Sequence, residues 1–233
     1  MQRNQANEVR IAGWFFFFFS AALLLAPAAG LAQPHTAGAV NWTWSDARQL
    51  EVDGKGWMDT KDFYDRLPAR AENRVRSDVW NLSHDSAGMS VRFMTDATTI
   101  AARWNLRRDN LAMPHMPATG VSGLDLYVKE QGRWHWLANG RPEKQKEEKV
   151  LVQGLKPGQR EYLLYLPLYN GVDEVSLGVP TGATLELPPP RPPGMKPIVF
   201  YGTSIVQGGC AARPGMAYPA ILGRRFDRPT LNL

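Results

Sequence analysis

Apolar and polar residues alternate through much of the middle of the chain. Met89, Val91 and Phe93 are spaced two apart, and Ile100, Ala102 and Trp104 repeat the spacing after Asp96-Ala97-Thr98. A period of two belongs to a strand with one buried face, so the two runs predict a hairpin turning at 96–98. Leu124, Leu126 and Val128 predict one arm of a second hairpin. Its turn is a Gly-containing segment from Glu130 to Arg133, and Trp134 and Trp136 lie on the returning arm. Further strands are expected at 149–153, 161–166 and 174–177. Nothing in this region has the spacing of a convincing helix. Many short strands separated by turn residues predict a mainly β fold, an antiparallel β-sandwich of jelly-roll type over 33–187, with strand order left open.

The pattern then changes. Residues 188–196 begin Pro-Pro-Pro-Arg-Pro-Pro-Gly. Proline has no N–H to donate and a fixed φ, so this stretch is read as a semi-rigid linker and a domain boundary. Beyond it, Ile198-Val199-Phe200-Tyr201 is a continuous apolar run of the kind found in a strand covered on both faces. A Gly-rich loop follows over 202–215. Ala217, Ala220, Ile221 and Leu222 then have near-helical spacing, with Pro219 placed in the first turn, and a second apolar run starts at Thr230. Strand, loop, helix, strand over 197–233 is the opening of an α/β domain with a parallel sheet.

The first 32 residues stand apart from both regions. Arg3 and Arg10 precede an uncharged apolar run from Ile11 that holds five consecutive phenylalanines and ends at Gly30-Leu31-Ala32. That is the layout of a secretory signal peptide, with cleavage expected after Ala32, export to the periplasm, cell surface or medium, and no lasting membrane anchor. Without Arg3, Arg10 and Glu8 the net charge is +4, against +5 for the whole chain. The basic residues are scattered and come with no nucleic-acid-binding motif, so no nucleic-acid partner is expected. Export permits disulfides, yet Cys210 is the only cysteine, so stability has to come from the core.

The candidate for chemistry is Ser204, in Phe200-Tyr201-Gly202-Thr203-Ser204-Ile205-Val206-Gln207-Gly208. It sits past the carboxyl end of a buried strand, where open α/β sheets place their active sites. There a serine can aim its hydroxyl at solvent and its backbone N–H at a developing oxyanion. Gly202 and Gly208 would allow the tight turn. Taken alone, a Gly-x-Ser after a strand is also what an ordinary β-α turn looks like.

The stretch 197–233 closely resembles the first block of SGNH hydrolases, the GDSL-type esterases, with Gly202-Thr203-Ser204 where Gly-Asp-Ser is usual. Gly123-Leu124-Asp125-Leu126-Tyr127 resembles the Gly-x-Asp-Leu-Tyr signature of the N-terminal β domain in one subgroup. The resemblance implies that Ser204 is the acyl-accepting nucleophile and its N–H an oxyanion donor. It also implies that the family's other donors, a Gly and an Asn, and its Asp-x-x-His pair lie beyond Leu233. A serine without a base is a poor nucleophile, so the 233-residue chain is expected to be a catalytically inactive piece of an esterase. The implied substrates are carboxylic esters, with acetyl esters of polysaccharides favoured.

Other residues are read more plainly. His35, His84, His115 and His135 have no metal-ligand spacing, so no metal or cofactor is expected, and each is taken as surface or structural. Asp125 is expected to make a structural hydrogen bond. Cys210 is expected to be a small buried side chain. The tryptophans are expected in the core, with a sugar-stacking platform as the alternative. A carbohydrate-binding module without catalysis is the competing function; oligomeric state stays open.

Overall fold

The computed structural model describes residues 40–233, so the expected signal peptide, its cleavage site and His35 lie outside the described residues. Ten strands form two antiparallel sheets. They are β1 Trp42–Asp46, β2 Glu51–Asp53, β3 Ser90–Thr95, β4 Thr99–Leu106, β5 Leu124–Glu130, β6 Arg133–Gly140, β7 Lys146–Gln153, β8 Arg160–Tyr165, β9 Val172–Pro180 and β10 Leu185–Glu186. One sheet has the order β1-β9-β4-β7; the other runs β10-β3-β8-β5-β6, with β2 also on β3. The inward residues of both sheets make one core. Val91, Phe93, Leu126, Tyr162 and Leu164 from one meet Ile100, Ala102, Trp104 and Leu177 from the other. Phe93 stacks on Tyr162 with ring centroids 5.4 Å apart. The protein is therefore mainly β, as expected.

The second predicted hairpin is present. β5 and β6 pair antiparallel through Glu130↔Arg133, and Gln131 and Gly132 both take positive φ (51° and 75°), as a tight hairpin turn with right-handed strand twist requires. The first is not. β3 and β4 belong to different sheets, and residues 96–98 carry the chain from one to the other. That corner is tied to the segment before β10: Asp96 Oδ1 accepts the Thr184 N–H at 2.8 Å and the Thr95 hydroxyl donates to the Thr184 carbonyl at 2.5 Å. Alternation identifies the side chains that share a core. It does not say which strands share hydrogen bonds.

The region also holds helix, against expectation: α1 (Ser77–Ser83) and one turn, α2 (Ala118–Val121). Only Trp80 and Ser83 of α1 are buried, while Val79 and Leu82 face solvent, so α1 has no amphipathic stripe to find. Among the described residues no helix is long and apolar enough to cross a membrane.

Residues 197–233 form the expected strand-loop-helix-strand unit, but its first strand is not covered on both faces as expected: Val199 and Tyr201 are exposed. β11 (Ile198–Phe200) and β12 (Thr230–Asn232) pair in parallel, and between them lie the single turn α3 (Ser204–Gln207) and α4 (Tyr218–Phe226), with Pro219 in the first turn of α4. Ala220 of α4 packs on Tyr127, Leu163 and Tyr165, and the Tyr165 hydroxyl donates to the Ala220 carbonyl at 3.3 Å. The larger sheet is thereby covered on both faces. The proline stretch is pinned as well: Arg191 pairs with Asp53 at 2.6 Å and with Glu51.

Candidate active site

Ser204 is the first residue of α3. Gly202 donates its N–H to Leu233 at 3.1 Å, extending the β11–β12 pairing by one step, and the chain then turns sharply. A Cβ on Gly202 would lie 2.3 Å from Val206 Cγ2, so only glycine fits. Thr203 is extended, and its carbonyl accepts the N–H groups of Val206 and Gln207 at 2.9 and 3.1 Å. The helix stops at Gly208, whose φ of 115° puts it in the left-handed region. Ser204 itself is exposed, and among the described residues no side chain hydrogen-bonds its hydroxyl. Its carbonyl, by contrast, accepts Gly208 N–H at 3.0 Å, Gly209 N–H at 2.7 Å and the Tyr169 hydroxyl at 3.0 Å. The backbone of the serine is held; its side chain is free.

Most of what holds this turn comes from the β-rich region. Gln207 is buried, and its amide Nε2 donates to Asp85 Oδ2 and to the Leu168 carbonyl, both at 3.0 Å. Its Oε1 accepts from Arg66 at 3.0 Å. Arg66, also buried, spends its remaining donors on the carbonyls of Leu82 (2.7 Å), Asp85 (3.0 Å) and Asn232 (3.3 Å). Asp85 is ion-paired with Arg108. Burial pushes the Asp85 carboxyl above its ordinary range and the Arg66 guanidinium below its own, each partly offset by its partners. Asn232 Nδ2 donates to the Val206 carbonyl at 2.8 Å, tying the end of β12 to the same turn. Alongside, Asn81, Leu82, Asp85, Arg108, Met113 and Tyr169 border a cavity of about 210 Å³.

The 123–127 motif acts on the next loop. Leu124 and Leu126 point into the core, whereas Asp125 and Tyr127 point outward to residues 213–224. Asp125 is fully buried. Its Oδ2 accepts the Gly215 N–H at 2.9 Å, and its Oδ1 accepts Trp136 Nε1 at 2.9 Å and pairs with Arg213 at 3.2 Å. Burial raises its pKa, and these partners pull it back only in part. Arg224 lies over the Tyr127 ring, 3.9 Å from its centroid. Gly215 packs so closely on that ring that a Cβ would sit 2.4 Å from it. The structural role expected of Asp125 is the one observed.

The remaining candidates stay away from the serine's hydroxyl. His84 meets Asp65 at 2.9 Å and stacks edge-on with Trp80; His115 and His135 are exposed. Asp62, Asp65 and His84 lie close enough to share a cation, but Arg107 already bridges Asp62 (2.9 Å) and Asp65 (3.2 Å), so a guanidinium holds the place a metal would take. Cys210 is exposed, with φ of 64°, rather than buried. Trp104 and Trp80 are buried. The ring of Trp44 is covered by Arg103 at 3.8 Å, and Trp134 and Trp136 are tied by hydrogen bonds to Asp227 and Asp125. No pattern in the sequence marks Arg66, Asp85 or Tyr169. Gln207 carried one signal, an amide inside a motif otherwise made of small and apolar residues.

Comparison with known proteins fits this geometry. Residues 42–185 match the family model described as the GxDLY N-terminus of SGNH-hydrolase-type esterases, and residues 195–233 match the GDSL-like lipase/acylhydrolase family. Among solved structures, the chain is similar to a protein of Bacteroides ovatus described as a GDSL-like lipase, with 35% identity and a TM-score of 0.77 over 83% of this chain and 56% of that one. It also shares the fold of the salicylyl-acyltransferase SsfX3 of a tetracycline biosynthetic pathway, with 21% identity and a TM-score of 0.58 over 78% and 51% of the two chains. The chain thus spans about half the length of these structures. No curated protein matches it.

Proposed function

Since the chain belongs to the SGNH-hydrolase-type esterases with a GxDLY N-terminal region, we propose that Ser204 is the nucleophile of an exported carboxylic-ester hydrolase. The observation that carries this is the contrast at one residue: a backbone fixed through three hydrogen bonds to its carbonyl, and an exposed hydroxyl with no partner among the described residues. A nucleophile has to be placed and yet left open to substrate.

In the proposed reaction Ser204 Oγ attacks the ester carbonyl as a base takes its proton. The alcohol leaves with a proton, and water then releases the acyl group from the serine. The Ser204 N–H, first in α3, is one donor to the oxyanion. Among the described residues no side chain hydrogen-bonds the Ser204 hydroxyl to serve as that base. On this proposal the 233-residue polypeptide by itself turns over slowly if at all, because no described side chain reaches the hydroxyl to act as base.

Acetyl esters of carbohydrates are the favoured substrates. The support is the pairing of a β-sandwich with an esterase unit, together with the cavity beside the turn, bordered by Asn81, Asn110 and Arg108 that can bond to hydroxyls. At about 210 Å³ it lies below the usual range for drug-sized ligands, about 300–1,000 Å³, and it is bordered by residues of the β-rich region alone, joined to the turn through Asp85 and Tyr169.

The test uses the full-length enzyme with p-nitrophenyl acetate and acetylated xylan. Ser204→Ala is expected to lower kcat by about 10⁴-fold or more. Undiminished hydrolysis by that variant would falsify the nucleophile assignment. Saccharide binding without hydrolysis would favour the binding-module alternative.

A further inference from the structure

We propose that Gln207 is a positioning residue for Ser204, and that Arg66 and Asp85 of the β-rich region set its position, so that the nucleophile turn is assembled across the two regions. This rests on the nucleophile assignment above. Gln207 lies three residues after Ser204 in the same helical turn. Each polar atom of its side chain is used: Oε1 by Arg66, and Nε2 by Asp85 and the Leu168 carbonyl. Arg66 is 141 residues away in sequence and Asp85 is 122, so these bonds exist only when the two regions are docked.

A buried polar network differs from an apolar contact in one respect that matters here. Apolar packing tolerates a small slide, whereas these donors and acceptors are satisfied in one register, and a bond missed in a buried site is not replaced by one to water. An apolar residue at 207 could fill the space but could not fix the turn. The backbone confirms the direction of the constraint. Tyr169, also from the β-rich region, holds the Ser204 carbonyl, while Asn232 holds the Val206 carbonyl between Ser204 and Gln207. Ser204, Val206 and Gln207 are thus each anchored to something outside their own helical turn, and Ile205 points to solvent. In this arrangement the β-rich region is part of the catalytic geometry and does more than present substrate.

The experiment compares Gln207→Leu, Gln207→Glu and Ser204→Ala in the full-length enzyme, with kcat and KM for p-nitrophenyl acetate and the thermal midpoint of each. Gln207→Leu is expected to lower kcat about 100-fold, the effect of roughly 1 Å of misplacement, with KM little changed. Gln207→Glu keeps length and shape but sets an acceptor against Asp85; the charged groups facing it are Arg66, Asp85 and, behind Asp85, Arg108. A protonated Glu restores the donor. The activity of Gln207→Glu relative to the parent is therefore expected to rise as pH falls toward the carboxyl range, a response that loss of packing would not give. If Gln207→Leu keeps full kcat, or the Gln207→Glu ratio stays flat with pH, the inference is overturned. If Ser204→Ala is as active as the parent, the nucleophile assignment fails instead, and the two failures are told apart by that variant.

Discussion

Residues 42–186 and residues 197–233 are held together in different ways. In the first, two sheets face each other over side chains that are wholly inaccessible, among them Phe93, Ile100, Leu126, Tyr162 and Leu164. In the second, apolar residues stay in the open: Tyr201 is 88% exposed, Ile205 71% and Phe226 59%. The shorter region keeps its shape by docking, through Ala220 on the tyrosines of the larger sheet, Gln207 on Arg66 and Asp85, and Gly215 on Asp125. A core made by two sheets is self-sufficient; one strand-helix-strand unit borrows its fixed points from a neighbour.

The sharpest way to break the comparison is to remove matched side chains from each region. Phe93→Ala deletes a fully buried ring stacked on Tyr162 and is expected to cost about 3–5 kcal/mol in urea unfolding. Phe226→Ala removes the same group from the surface and is expected to stay within about 0.5 kcal/mol. Equal losses would mean that the shorter region has a core of its own.

The proline stretch supplies the next test. Arg191 neutralises Asp53, whose carboxyl burial raises above its usual range, and only 13% of that side chain is exposed. Arg191→Met leaves the largely buried Asp53 charge without its main partner, at an expected cost of about 2 kcal/mol at pH 7. Glu51 keeps Arg92 at 3.1 Å. Because the protonated carboxyl needs no cation, the difference from the parent should shrink as pH falls. A constant difference across pH would locate the effect in lost packing instead.

Asp125→Asn probes the docking of the 213–215 loop and is expected to cost about 1–2 kcal/mol, since the amide can accept from Trp136 or Gly215 but not repeat the carboxylate's pattern toward Arg213. The pH dependence has a definite sign. With its pKa raised in the folded state, Asp125 binds its proton more tightly folded than unfolded, so its contribution to stability falls as pH rises from the unfolded value, about 3.9, through the folded one. Thermal midpoints of parent and variant from pH 3 to 7 should therefore converge toward neutral pH and diverge in acid. Parallel curves would show that Asp125 does not titrate in this window.

The two regions were also unequally legible. Period two marks β3, β4 and β5 and their inward faces, because burial leaves its mark residue by residue; β1, β2 and β10 carry no such mark, and Trp134 and Trp136 of β6 lie on the face away from the sandwich core. Period two misplaced the 96–98 turn, because pairing is decided between residues far apart: β3 pairs with β8, and β4 with β7 and β9. α1 went unseen because it buries little. Ser204 stands in a turn flanked by Gly202 and Gly208, a local feature visible in local sequence, but its proposed role comes from the resemblance of 197–233 to SGNH hydrolases. Arg66, Asp85 and Tyr169 stood outside any pattern, since their roles exist only once the regions meet. Asp125 fell between: its motif marked it, and only the structure paired it with Gly215.

The smallest expected effect bears on the exposed side of the shorter region. Val199, Tyr201 and Ile205 are 56%, 88% and 71% exposed. Ile205→Ser removes apolar surface that already faces water, so the folded state loses almost no burial and stability is expected to change by less than about 0.5 kcal/mol. Exposed apolar side chains nonetheless favour association where they lie together. The same substitution in a polypeptide of residues 40–233 should therefore reduce binding of a hydrophobic dye and self-association measured by light scattering, while leaving the unfolding midpoint in place. In the full-length protein the reasoning runs the other way: if further chain packs over Ile205, Ile205→Ser there introduces a buried hydroxyl and loses a buried side chain, and the cost rises to that of a core substitution. A small effect in both contexts would mean that Ile205 faces water in each, beside the proposed nucleophile.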